Sequence, residues 1–192
     1  MPASLVGPIR IPHAAPFRLI DRVVSVDLAA GGLVAERLLT CNDALWPGES
    51  QPPRHFFSEA SPAAAALVFP PTLLIEALCQ AAACLNAEAL AGPGAPAAQQ
   101  HHGYLVAITD MKFPAFAYVG ETVTLKVEQK ERRGQVIAFA VSATAAPPTA
   151  GASGQAPGQI EPHEAKPGQT KPRQIQPREI ACGRLLFAVT LT

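Results

Sequence analysis

Apolar and polar residues alternate from Thr122 to Glu128. Val123, Leu125 and Val127 point one way, and Thr122, Thr124, Lys126 and Glu128 the other, which is the period of a half-buried strand. The sequence Glu131-Arg132-Arg133-Gly134 then turns the chain into a further strand expected over residues 136–144. A last one is expected over 184–191, with Leu185, Phe187, Val189 and Leu191 on one face. Earlier, residues 21–28 and 33–40 predict two strands joined through Gly31-Gly32, a hairpin signal, and 104–113 adds one more. Between the early and late strands lies a segment of another period. Pro70-Pro71 suits a helix start, where proline's missing N–H does no harm, and Gly92-Pro93-Gly94 is a stop. The residues between them, TLLIEALCQAAACLNAEALA, are apolar nearly all round, so the helix predicted over Pro71–Ala91 is expected to be buried on every side. A long buried helix flanked by antiparallel strands implies an α+β class, with the sheet curled about the helix.

Another pattern breaks the series before the last strand. Residues 156–180 read as five pentapeptides, APGQI, EPHEA, KPGQT, KPRQI and QPREI, with proline at 157, 162, 167, 172 and 177. Proline at every fifth position blocks helix and sheet ladders alike, and there is little apolar surface to bury. The stretch 147–178 therefore reads as a low-complexity Pro/Gln-rich insertion, either a repeat expansion in a tolerant loop or a docking segment. With it set aside, residues 1–192 are expected to form one domain.

Composition excludes more than it assigns. Fifteen Lys and Arg balance fifteen Asp and Glu, and charged residues are only 16% of the chain, so no basic footprint for nucleic acid or anionic lipid exists. The N-terminus, MPASLVGPIRIPHAAPF, lacks a signal peptide's apolar core. The most apolar stretch, residues 63–85, is interrupted by Pro70, Pro71, Glu76 and Gln80, which argues against a membrane span. Cys41, Cys79, Cys84 and Cys182 form no CxxC pair and no zinc-ligand spacing, as expected for reduced thiols of a cytoplasmic protein. Neither a phosphate loop, nor a dinucleotide fingerprint, nor a metal motif is present, so no cofactor is expected.

One residue contradicts its surroundings. Glu76 stands among Leu73, Leu74, Ile75, Ala77 and Leu78, and Gln80 follows one turn later on the same face. A carboxylate without partners in an apolar setting changes its protonation rather than stay charged. Such a carboxyl can serve as a general acid. It can equally be a structural group satisfied by an arginine, by backbone donors or at a subunit interface. Histidines are its possible companions. His55 lies in PRHFF just upstream of the helix, while His13, His101, His102 and His163 carry no catalytic pattern of their own.

Several segments, taken in order, resemble the 3-hydroxyacyl-acyl carrier protein dehydratases, which have the hotdog fold. They are IPHAAPFRLIDRVVSVD, HFF at 55–57, FPPTLLIEALCQAAACL and ITDMKFPAFAYVGETVTLKVEQKERRG. The resemblance covers most of residues 8–145 and the last strand. It implies dehydration of 3-hydroxyacyl thioesters on an acyl carrier protein to trans-2-enoyl thioesters, with His55 and Glu76 as the catalytic pair, contributed by different subunits. Pro70, Pro71, Thr72 and Gln80 would line the substrate, and Lys130, Arg132 and Arg133 would offer a basic rim to an acidic carrier protein. A homodimer or higher homo-oligomer is implied, or a heterodimer with another hotdog subunit. Two departures are visible. SEASPAAAALV lengthens the path from His55 to the helix, and Pro71 stands where the family usually has a glycine whose N–H polarises the thioester carbonyl. Proline has no such N–H. These departures favour a second reading, a non-catalytic acyl-thioester-binding or partner hotdog subunit; a thioesterase on the same fold is a third.

Overall fold

The computed structural model describes residue 9 and residues 11–40, 68–91, 103–147 and 176–189. Within them the chain runs β1 (Arg22–Asp27), β2 (Gly32–Leu38), α1 (Pro71–Ala91), β3 (Gly103–Lys112), β4 (Thr122–Arg133), β5 (Val136–Ala146) and β6 (Arg178–Val189). The strands form a six-stranded antiparallel sheet in the order β1-β2-β4-β5-β6-β3, with α1 packed chiefly on β4, β2 and β5. This is the α+β arrangement expected, with the helix bounds as the proline and glycine signals set them.

The alternation does its work on the helix side of the sheet. Val123, Leu125 and Val127 of β4, and Ile137, Phe139, Val141, Ala143 and Ala145 of β5, are all buried. Phe139 meets Phe187 of β6 edge to face at 5.8 Å between ring centroids, a geometry aromatic quadrupoles favour. The β1–β2 hairpin closes as its glycines require. Gly31 has φ +64°, and a Cβ there would stand 3.2 Å from Cβ of Gln129, so both backbone and neighbour favour glycine.

Three features differ from the sequence pattern. β6 begins at Arg178 rather than 184. A register shift sits between Ala143 and Thr144, where Ala143 pairs with Ala181 and Thr144 with Glu179. Ile180 is the extra residue, and Ile180 and Ala181 are both fully buried. A bulge of this kind erases the period-2 signal. Next, β4 runs on to Arg133, because β5 continues to pair with it beyond Gln129. Finally, α1 is not buried on every side. Thr72 and Ala89 are exposed and Leu73, Ile75 and Glu76 are half-buried, since an open sheet covers one side of a helix. By length and composition alone α1 could cross a membrane, yet half of that stretch is buried within the chain. Its buried face carries the core residues Leu74, Ala77, Leu78, Ala81, Ala82 and Leu85, which identifies it as a core helix. Of the insertion expected over 147–178, residues 148–175 lie outside the described residues.

Candidate active site at the first turns of the helix

Thr72, Glu76 and Gln80 lie at i, i+4 spacing and so share one helix face. Along it, exposure falls from exposed Thr72 through half-buried Glu76 to Gln80, which is 1% exposed. Glu76 stands at the boundary, where the side chain is neither free in water nor sealed.

What seals Gln80 is the segment before β1. The Gln80 side chain accepts a hydrogen bond from the Leu19 backbone N–H at 2.8 Å and donates one to the Phe17 carbonyl at 2.7 Å. Its second amide hydrogen goes to Oε1 of Glu76 at 3.0 Å. Reaching the N–H of one residue and the C=O of the residue two before it, the amide imitates a neighbouring strand. Leu19 and Ile20, beside this clamp, are fully buried. Both Gln80 amide hydrogens are thus occupied. Gln80 was expected at the substrate; its observed work is to dock the N-terminal segment on α1 and to fix one oxygen of Glu76.

That docking brings an unforeseen imidazole to the carboxyl. His13 Nε2 lies 3.5 Å from Oε1 of Glu76, with the two side chains 36% and 37% exposed. His13 Nδ1, in contrast, is buried and has no hydrogen-bond partner among the described residues. Nothing in the spacing of His13 and Glu76 along the sequence signals this contact. It depends on Gln80 folding the segment back. His55, expected as the catalytic histidine, lies outside the described residues, as do His101, His102 and His163. Cys79, next to the site on α1, has its thiol pushed up to about 12, by burial first and by the nearby Glu76 charge second.

The helix entrance is held separately. Phe69 N–H donates to the Ala117 carbonyl at 2.8 Å, and Val68 bridges to Tyr118. Pro70 then caps α1 with its carbonyl, which accepts the Leu74 N–H at 3.0 Å. Pro71 at the first helical position has no N–H, so the free donors of this turn are those of Thr72 and Leu73. The loop carrying Ala117 and Tyr118 is itself clamped by Arg178. Its guanidinium donates to both oxygens of Glu121 and to the Phe116 carbonyl, each at 2.6 Å, and lies 5.4 Å from the Tyr118 ring centre. Burial alone would raise the Glu121 carboxyl, but the hydrogen bonds from Arg178 and from the Tyr118 N–H outweigh it and hold the group below its ordinary value. The expected basic rim is partly neutralised. Lys130 pairs with Glu128 and Arg133 with Glu131, while Arg132 donates to the Gly134 carbonyl at 3.4 Å.

No family model matches the chain, but curated relatives do. The 3-hydroxyacyl-[acyl-carrier-protein] dehydratase FabZ of Xanthomonas campestris pv. campestris (strain B100) is 32% identical over 120 residues, 62% of this chain and 67% of that protein. FabZ of Anaeromyxobacter sp. (strain Fw109-5) is 32% identical over 126 residues, 66% of this chain and 70% of that protein. For FabZ of Rickettsia felis the figures are 30% over 134 residues, 70% and 79%. Among solved structures, a chain of the dehydratase heterocomplex ApeI:P from Xenorhabdus doucetiae superposes with a TM-score of 0.55 at 12% identity, covering 96% of this chain and 90% of that one. One long helix packed against a six-stranded antiparallel sheet is the hotdog fold, and the chain belongs to the 3-hydroxyacyl-[acyl-carrier-protein] dehydratase family.

Proposed function

We propose that this chain removes water from 3-hydroxyacyl thioesters carried on an acyl carrier protein, giving trans-2-enoyl thioesters. The observation that carries the reading is Glu76, a carboxyl held at one oxygen and half-buried where its helix face passes from exposed Thr72 to buried Gln80. Family membership alone would leave the activity unassigned, because one fold serves many chemistries. In the proposed reaction a base takes the proton from the carbon beside the thioester carbonyl, and the electron pair forms the new double bond. The hydroxyl on the next carbon leaves with a proton from Glu76, so the products are enoyl thioester and water. The base is His55 of a second copy. Charge that gathers on the thioester oxygen meets the N-terminal N–H groups of α1, with Thr72 supplying the donor that Pro71 lacks. Pro70 and Pro71 shape the entrance, and Lys130, Arg132 and Arg133 face the carrier protein.

A dimer completes this site. Among the described residues β3 pairs on one side only, with β6, and leaves Tyr104 64%, Val106 58%, Leu105 42% and Ile108 41% exposed. An apolar edge strand of this kind favours addition of another strand, and a two-fold axis would join two sheets there. The Xenorhabdus doucetiae neighbour is a dehydratase heterocomplex, so a second reading keeps the same architecture with a different hotdog chain as partner. The missing N–H at Pro71 favours it.

The deciding experiment follows hydration of a short trans-2-enoyl thioester by ultraviolet absorbance, for the native protein, His55→Ala and Glu76→Gln. Turnover that both substitutions abolish supports the pair. Equal rates in all three proteins reject it. Absence of turnover in the native protein, together with co-purification of a second hotdog chain, favours the partner-subunit reading.

A further inference from the structure

We infer that His13 is a positioning residue for Glu76, holding Oε1 through an Nε2–H donor so that Oε2 is the oxygen that exchanges the proton. The inference deepens the dehydratase reading and rests on it for its catalytic consequence, though not for its geometry.

Three observations carry it. His13 Nε2 faces Oε1 at 3.5 Å, longer than a formed hydrogen bond but close enough for one to form on a small ring movement. The other ring nitrogen, Nδ1, is buried without a partner among the described residues. A buried N–H left unpaired costs more than a bare lone pair there, so the ring hydrogen belongs on Nε2, pointing at Glu76. Last, Oε1 already accepts the Gln80 amide at 3.0 Å. An oxygen accepting from two donors is poorly placed to carry a proton of its own. Oε2 has no hydrogen-bond partner among the described residues, and the side chain is open enough to receive a ligand. The groups facing Glu76 among the described residues are then Gln80, His13 and the Cys79 thiol. Burial keeps that thiol uncharged, and among the described residues His13 is the group at ion-pair distance that can carry a positive charge.

The arrangement differs from the catalytic pair in origin. His13 and Glu76 belong to the same chain and are brought together by the Gln80 clamp, whereas His55 would arrive from a second copy. His13 therefore orients the acid before any partner binds.

The test has two arms. Nitrogen-15 spectra of histidine-labelled native protein, with the His13 signals identified by their loss in His13→Gln, should show an Nε2–H ring with a bare Nδ1 at neutral pH. An Nδ1–H ring, an imidazolium or rapid averaging of the two tautomers overturns the inference. In the hydration assay, His13→Ala should lower kcat about 10-fold while KM stays within about 2-fold, as expected when a reacting group loses its orientation. His13→Gln, whose amide can reach Oε1 as a donor, should recover most of that loss. In a Glu76→Gln background His13→Ala should cost nothing more, since two residues acting through one group are not additive. Native kcat in a folded His13→Ala protein overturns the inference. If the native protein shows no hydration at all, the dehydratase reading fails, and the nitrogen-15 spectra alone decide the role of His13.

Discussion

Glu121 and Glu76 are both fixed by hydrogen bonds near the entrance of α1, and the way each is held differs. Glu121 has both oxygens occupied by one guanidinium, one of them also by the Tyr118 N–H, with the cation partly covered by an aromatic ring. Every charge there has a partner within 3 Å, and the loop is tied to β6 through them. Glu76 has one oxygen fixed by Gln80, an imidazole at a longer distance, and a second oxygen without a partner among the described residues. A fully satisfied carboxylate does structural work. One left half-satisfied at a solvent boundary keeps capacity for chemistry.

The largest expected effect separates the two carboxyls directly. Glu76→Gln should lower the hydration rate by about 100-fold or more, the range of a lost general acid, while Glu121→Gln should change it less than about 3-fold. Equal losses from the two would erase the distinction. Next comes the clamp beneath the site. Gln80→Leu strands the Leu19 N–H and the Phe17 carbonyl and should cost about 2–3 kcal/mol in urea unfolding. A loss below about 0.5 kcal/mol would show that water replaces the amide at little cost. Smaller again is Arg178→Gln, expected to cost about 1 kcal/mol because the pair is partly exposed. Its signature is pH dependence. Glu121 is held below its ordinary value of 4.5 in the fold, so the pair stabilises the protein above that value. The contribution is lost as pH falls through the depressed folded-state value. Native protein should therefore lose more stability than Arg178→Gln on acidification below about 4.5, and parallel curves would contradict the assignment. The smallest effect concerns Cys79. Its thiol, pushed up to about 12 chiefly by burial, should resist alkylation at neutral pH in native protein. Glu76→Gln should leave that resistance nearly intact, because the Glu76 charge is the lesser cause. Rapid modification of Cys79 in the folded native protein would show the helix face to be open.

Most of the architecture was legible because strand and helix periods are local. Val123, Leu125 and Val127 announced their own face, and Pro70-Pro71 and Gly92-Pro93-Gly94 announced the helix ends. Ile180 was illegible as part of a strand, since the bulge at Ala143/Thr144 cancels the alternation it would have shown. The site was half legible. Glu76 stood out as an acid in an apolar run, and Gln80 as its companion one turn on. His13 did not stand out, because its importance comes from position in space, 63 residues from Glu76 along the chain.

The sequence by itself determined a long apolar helix, the alternating strands around it, and a carboxyl that had no reason to be there except chemistry or a partner. Only the tertiary structure decided that Gln80 would spend its amide on Phe17 and Leu19, that His13 would thereby meet Glu76, and that the helix would keep one side uncovered. The physical reason is range. Periodicity and caps are written in neighbours a few positions apart, whereas a hydrogen bond between residues 61 positions apart exists only once the sheet has closed on the helix.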